Sequence, residues 1–173
     1  MIVVLIGYMA SGKSTIGRIL AKKLSYNFID LDDYIEVTEK KSINDIFKAY
    51  GEIYFRKKET HYLNEIFANK NNTVLALGGG TPCYGNNMET VLKSEHVTSI
   101  YLKATIDCIV KRLETEKDKR PLISHLSSRS ELSEFIGKHL FERVQFYSKA
   151  DYTIDTNNKN KSEIIEKIIL DLF

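Results

Sequence analysis

Tryptophan is absent from the 173 residues, and proline and cysteine occur only twice each. So little proline leaves no Pro-rich linker or low-complexity segment. Cys83 and Cys108 share no metal-type spacing with each other or with a histidine pair, so neither a disulfide framework nor a zinc site is written in the chain. Two reduced thiols in a cytoplasmic protein are the expectation. No apolar run approaches the ~20 residues needed to cross a bilayer. The opening run Ile2 to Ile6 passes directly into Gly7, which does not fit a secretion signal. An excess of one charge is also missing, because 25 Lys and Arg against 23 Asp and Glu leave +2. Nucleic acid and anionic membranes usually demand a basic surface, so neither is expected as a partner. What is present is 43% apolar and 28% charged residues, the composition of an ordinary globular protein. The length suits one domain, 1–173, with one sizeable core, expected to act as a monomer.

The apolar residues are arranged in alternating patterns. Ile2-Val3-Val4-Leu5-Ile6 is a β-branched run suited to a strand buried on both faces. Ile16, Ile19, Leu20 and Leu24 then recur at helical spacing, with Arg18, Lys22 and Lys23 on the other side. Asn27 to Asp32 reads as a second strand, Thr73 to Leu77 as a third, Val97 to Leu102 as a fourth and Tyr152 to Asp155 as a fifth. Helical pieces are predicted from Asp33 to about Ala68, broken near Lys41-Ser42 and Gly51, and again over Thr105 to Leu113, Ser130 to Tyr147 and the C-terminus. Strands alternating with helices predict an α/β fold, a five-stranded parallel sheet with helices on both faces.

Gly7-Tyr8-Met9-Ala10-Ser11-Gly12-Lys13-Ser14 matches G-x-x-x-x-G-K-[ST] between a buried strand and an amphipathic helix, as a phosphate loop requires. Backbone N–H groups and the helix N-terminus face the anion. Lys13 would reach the β- and γ-phosphates of a nucleotide, with the Ser14 hydroxyl on Mg²⁺. A GTPase would add a guanine-reading Asn-Lys-x-Asp. The nearest candidate, Asn158-Lys159-Asn160-Lys161, lacks the aspartate. No room remains for the accessory domains of a motor, so an ATP-dependent small-molecule kinase is the expectation.

Other polar residues describe the second substrate. Asp30-Leu31-Asp32 ends the second strand, where ligands of open α/β sheets bind. Strand alternation would point the two carboxylates apart, one toward Mg²⁺ and one toward an acceptor hydroxyl; with Asp33 they could instead form an acidic helix cap. Arg56 precedes Glu59 by one helical turn, a spacing most often found as a solvated ion pair. Gly78-Gly79-Gly80 costs backbone entropy and suggests that a ligand approaches the chain closely. The charged stretch Glu114 to Pro121 could carry Arg120 over the phosphates as a mobile cover.

Together these segments resemble the shikimate kinase family. The resemblance rests on Gly7-x-Met9-x-Ser11-Gly12-Lys13-Ser14-Thr15, Asp30-x-Asp32, Phe55-Arg56-x-x-Glu59, Gly78-Gly79-Gly80, Arg120-Pro121-Leu122 and Glu142-Arg143-x-x-x-Tyr147, and it covers nearly the whole chain. It implies a P-loop fold of the nucleoside monophosphate kinase type, with a substrate-binding helical region over about 33–62 and a lid over about 114–124. It also implies γ-phosphoryl transfer from ATP to the 3-hydroxyl of shikimate. Lys13, Asp32 and Arg120 would be catalytic. Ala10, Ser11, Gly12, Lys13, Ser14, Thr15, Arg112, Arg120 and Lys159 would contact the nucleotide, and Ser14 and Asp30 would serve Mg²⁺. Asp32, Arg56, Gly78, Gly79, Gly80 and Arg143 would bind shikimate, the two arginines clamping its carboxylate and Gly79 donating its N–H. The family usually has glycine at position 10, and alanine there is expected to have a small effect on nucleotide affinity. The residue types suit the chemistry in their own right: arginine matches a carboxylate bidentately, a hydroxyl nucleophile needs a proton acceptor, and the phosphoryl transition state needs positive charge in place. Gluconate or nucleoside monophosphate kinases, and a nucleotide-binding regulator without turnover, are the competing readings.

Overall fold

Strand β1, Ile2–Ile6, is buried along its whole length and lies at the centre of the sheet, as its unbroken apolar run requires. The computed structural model describes residues 1–114, 123, 125–126 and 128–173. Around β1 run β2 (Asn27–Asp30), β3 (Thr73–Ala76), β4 (Val97–Lys103) and β5 (Tyr152–Asp155). The order is β2-β3-β1-β4-β5, and every pairing is parallel. Side chains of β1 alternate between two apolar layers. Val3 and Leu5 join Ile16 and Leu20 of α1 (Lys13–Leu24) and Ile164, Ile165 and Ile168 of α7 (Lys161–Leu172). Ile2, Val4 and Ile6 face the other layer, built from α2 (Leu31–Glu39), α3 (Ile43–Asn69), α4 (Asn87–Lys93), α5 (Ile106–Glu114) and α6 (Arg129–Tyr147).

The predicted architecture is present, with local differences. The second strand stops at Asp30, and Leu31 already opens α2, because the Asp30 side chain accepts from the Asp32 N–H at 3.2 Å and caps the helix. Asp32 and Asp33 then occupy the first turn, where acids complement the helix dipole. The two aspartates are therefore separated as cap and first turn, and not by strand alternation. The helical break at Gly51 is real, with φ 77° and ψ 175° inside α3. A Cβ there would meet nothing within 4 Å, so glycine is required by the torsion and not by space. Between Thr81 and Lys93, where sequence patterning gave no element, lie a 3₁₀ turn (Thr81–Cys83) and α4. Of the predicted cover, only Glu114 and Ile123 fall within the described residues; Arg120 lies outside them. No helix among the described residues is long and apolar enough to cross a membrane.

Helix α1 begins directly after the phosphate loop, and its seat on the sheet depends on Gly17. A Cβ at that position would lie 2.4 Å from Phe28 Cε2 and 3.2 Å from Leu5 Cδ1. Gly17→Val should therefore push the helix off the sheet at a cost of about 1–3 kcal/mol, typical of overpacking. A clear fall in the thermal unfolding midpoint is the expected result; an unchanged midpoint would show that α1 is not seated through this contact.

Candidate active site

The sheet order turns at β1, and the crevice beyond the carboxyl ends of β1 and β3 is where such sheets bind ligands. A cavity of about 810 Å³ opens there, lined by the loop from Met9 to Thr15, by Asp30, Asp32, Gly78 and Gly79, and by Arg112 and Lys159. The loop's shape follows from its torsions. Gly7 and Gly12 adopt φ 154° and 101°, which side-chain-bearing residues rarely adopt. A Cβ on Gly7 would come within 2.7 Å of Ser11 Oγ. Ala10 has φ 58°, in the left-handed region that costs an L-residue about 1 kcal/mol or more. Its carbonyl accepts from Arg112 Nη1 at 2.9 Å, so an arginine on α5 braces the strained residue. Lys13 Nζ donates to the carbonyls of Gly7 and Tyr8 at 2.8 and 2.9 Å, which holds the ammonium over the loop. Ser11 Oγ is buried without a hydrogen-bonding partner among the described residues, a polar atom in a cradle suited to phosphate oxygens.

Ser14 Oγ donates to Asp30 Oδ2 at 2.6 Å. A hydroxyl and a carboxylate side by side are hard oxygen donors that fit Mg²⁺, which usually takes one or two protein ligands and completes its shell with phosphate and water. Among the described residues no cluster of three or more His, Cys, Asp or Glu side chains could hold a metal on its own. Asp32, in the first turn of α2, lines the same cavity. Burial, then the neighbouring carboxylates of Asp30 and Glu59, push its pKa up to about 7, against the opposing pull of Lys13.

A second polar cluster is built beside it by α3 and the glycine loop after β3. Arg56 is not a surface arginine. Nη1 donates to Glu59 Oε2 at 2.7 Å, and the Glu59 side chain is 1% exposed. Glu59 Oε1 accepts from Thr81 Oγ1 at 2.5 Å. The Thr81 carbonyl accepts from Asn87 Nδ2, and Asn87 Oδ1 accepts from Thr60 Oγ1. The solvated ion pair expected from spacing alone is thus replaced by a network in which Glu59 is buried and bonded at both carboxylate oxygens.

Two of the three glycines also have a different cause from the one expected. A Cβ on Gly78 would lie 2.9 Å from Asp32 Oδ1 and 2.8 Å from Thr81 Oγ1, and one on Gly80 would lie 2.8 Å from Arg56 Nη1. The protein's own side chains fill that space. Gly79 is roomier, with Arg143 Nη1 3.8 Å from its would-be Cβ, and its carbonyl accepts from the buried Tyr147 hydroxyl.

The structure therefore gathers Ala10 to Thr15, Asp30, Asp32, Gly78, Gly79, Arg112 and Lys159 around one cavity, and brings Arg56 and Arg143 against the adjoining glycines. Arg120 is outside the described residues. Sequence reasoning missed Thr81, Asn87 and the anchoring role of Tyr147. Only the spacing of Tyr147 after Arg143, one helical turn, hinted that the two share a face.

A phosphate loop at the centre of this sheet, with a carboxylate of raised pKa in the same cavity, defines a P-loop kinase acting on a small molecule. The shikimate kinase family model matches residues 9–173. A curated shikimate kinase of Flavobacterium psychrophilum is 47% identical over 99% of this chain and 98% of its own. Solved structures of shikimate kinases from Bacteroides thetaiotaomicron and, in complex with shikimate, Acinetobacter baumannii superpose with TM-scores of 0.91 and 0.83. They are 32% and 31% identical, and each comparison covers 99% of this chain, against 98% and 92% of theirs. The chain belongs to the shikimate kinase family.

The raised Asp32 pKa has a consequence for stability. Its folded value of about 7 lies above the ordinary 3.8, so the native state holds the proton more tightly than the unfolded chain. The stability this proton contributes is fully present below the unfolded pKa and is lost as pH rises through about 7. Asp32→Asn mimics the uncharged form. It should raise the unfolding midpoint at pH 8 by about 2 °C or more, the equivalent of about 1 kcal/mol, and give a much smaller gain at pH 5. Equal effects at the two pH values would show that Asp32 is not desolvated as described.

Proposed function

We propose that this kinase transfers the γ-phosphoryl of ATP to the 3-hydroxyl of shikimate, giving shikimate 3-phosphate and ADP. The observation that carries the reading is Asp32: a half-buried carboxylate in the same cavity as Lys13 and Ser14, with a pKa of about 7. A pure nucleotide binder has no need of a proton acceptor there, whereas a hydroxyl nucleophile does. The loop amides and Lys13 would hold the β- and γ-phosphates, and Lys13 would carry charge onto the transferred group. Ser14 and Asp30 would hold Mg²⁺, which when bound neutralises phosphate charge. Arg112 and Lys159 would border the base and ribose end. Arg56 and Arg143 would clamp the carboxylate with paired N–H donors. The Gly78–Gly80 main chain would close on the ring and donate from Gly79. Arg120 would supply a further cation at the phosphates. Catalysis of this kind consists of orientation and preplaced charge.

A coupled assay of ADP release, run separately with shikimate, gluconate and nucleoside monophosphates, should respond to shikimate and require Mg²⁺. Stimulation by another acceptor alone would move the substrate assignment and leave the kinase. Lys13→Met should abolish nearly all turnover with an unchanged circular dichroism spectrum, because the lysine acts on phosphate charge and not on packing. The pH profile tests Asp32 directly. As a base it must be ionised, so kcat/KM for shikimate should rise with pH through about 7. Asp32→Asn should lose that limb along with most of kcat; a limb that survives the substitution would assign the proton to another group.

A further inference from the structure

The guanidinium of Arg56 is held on several sides by the protein itself. Along its side edge, Nε and Nη2 both donate to Glu52 Oε1, at 3.2 and 3.1 Å. Nη1 alone donates to Glu59 Oε2, so Glu59 does not fill the fork between Nη1 and Nη2. The Tyr84 ring covers one face, its centroid 3.8 Å from Cζ. The Gly80 main chain packs at the Nη1/Nη2 end, where a Cβ would lie 2.8 Å from Nη1 and 3.1 Å from Nη2, so glycine there keeps a side chain out of the fork. The fork between Nη1 and Nη2 is the edge that neither carboxylate spans.

The two carboxylates differ in kind. Glu59 is sealed in the interior, whereas the Glu52 side chain is 52% exposed and follows Gly51, where α3 breaks. An exposed pair of this spacing is ordinarily worth about 0–1 kcal/mol and positions nothing. Glu52 departs from that pattern because one of its oxygens bridges two guanidinium nitrogens. Hydrogen bonds from Arg56 and then Tyr84 also hold its carboxyl below the usual range. Glu52, Tyr84 and Arg56 thus form one assembly, lining a smaller pocket of about 500 Å³ with Thr60 and Gly85, and Arg56 packs from there against Gly80.

We propose that Glu52 is a positioning residue: by occupying the side edge of Arg56 it presents the Nη1/Nη2 fork to the acceptor and so sets the preference for a carboxylate-bearing substrate. The proposal rests on the assignment of Arg56 to the shikimate carboxylate. Without Glu52 the guanidinium can rotate in its slot, and the ordering that Glu52 imposes beforehand has to come from substrate binding instead.

The experiment compares Glu52→Ala, Glu52→Gln, Arg56→Ala and the Glu52→Ala/Arg56→Ala double variant, with shikimate varied at saturating ATP. Glu52→Ala should raise KM for shikimate about tenfold, equivalent to about 1.4 kcal/mol, with the change falling on KM for shikimate and not on kcat or on KM for ATP. Glu52→Gln keeps the accepting oxygen and should recover most of the loss. In the Arg56→Ala background, Glu52→Ala should add nothing. If Arg56→Ala raises KM but Glu52→Ala leaves it unchanged or lowers it, Glu52 is a bystander or a competitor, and the proposal falls while the Arg56 assignment stands. If Arg56→Ala itself leaves KM unchanged, both fall.

Discussion

Taking the Glu59 carboxylate out of water is the constraint on which the cluster around Arg56 and the glycine loop depends. A charge buried to 1% exposure is strongly destabilising unless each of its oxygens meets a donor. Arg56 and Thr81 supply those donors, and each is tied in turn. Thr81 reaches α4 through Asn87, and Asn87 reaches back to Thr60 on α3. Gly78 and Gly80 exist in part because a Cβ would strike Thr81, Asp32 or Arg56. One buried carboxylate therefore anchors one nitrogen of an arginine and ties it to the glycine loop and to a short helix. It also adds to the charge repulsion that, after burial, lifts the Asp32 pKa.

The nucleotide half obeys a different logic. Its loop is held by backbone geometry, with Gly7 and Gly12 at torsions few other residues adopt and Ala10 strained beside them. Lys13 is restrained by two loop carbonyls, and Arg112 grips a third. These contacts keep donors and charge in place before phosphate arrives, which is what electrostatic preorganisation requires. The halves meet at Asp32, whose carboxylate lies between the ammonium of Lys13 and the glycine loop.

How far the sequence could be read depends on the range of the signal. The β1 run, the loop motif, the five strands and the Gly51 break are local patterns, and each is present in the fold. The boundary at Asp30 was misjudged because a strand end and a helix cap both favour aspartate there, and only the bond to the Asp32 N–H decides between them. Arg56 and Glu59 looked like a surface pair because their burial is caused by residues more than twenty positions further on, around Thr81. The same holds for the bond between Tyr147 and Gly79, which joins segments 68 residues apart. Spacing along one helix cannot report what packs over it.

The crossover between β2 and β3 carries α2 and α3, and with them Asp32, Arg56 and Glu59, whereas the start of α1, after the loop that follows β1, carries Lys13 and Ser14. These two groups of polar residues therefore lie in separate stretches of chain. Substitutions in the crossover can change what is recognised while the phosphate machinery stays intact. A scaffold divided in this way can acquire new acceptors by remodelling one insertion, and its history can be traced separately in the two stretches.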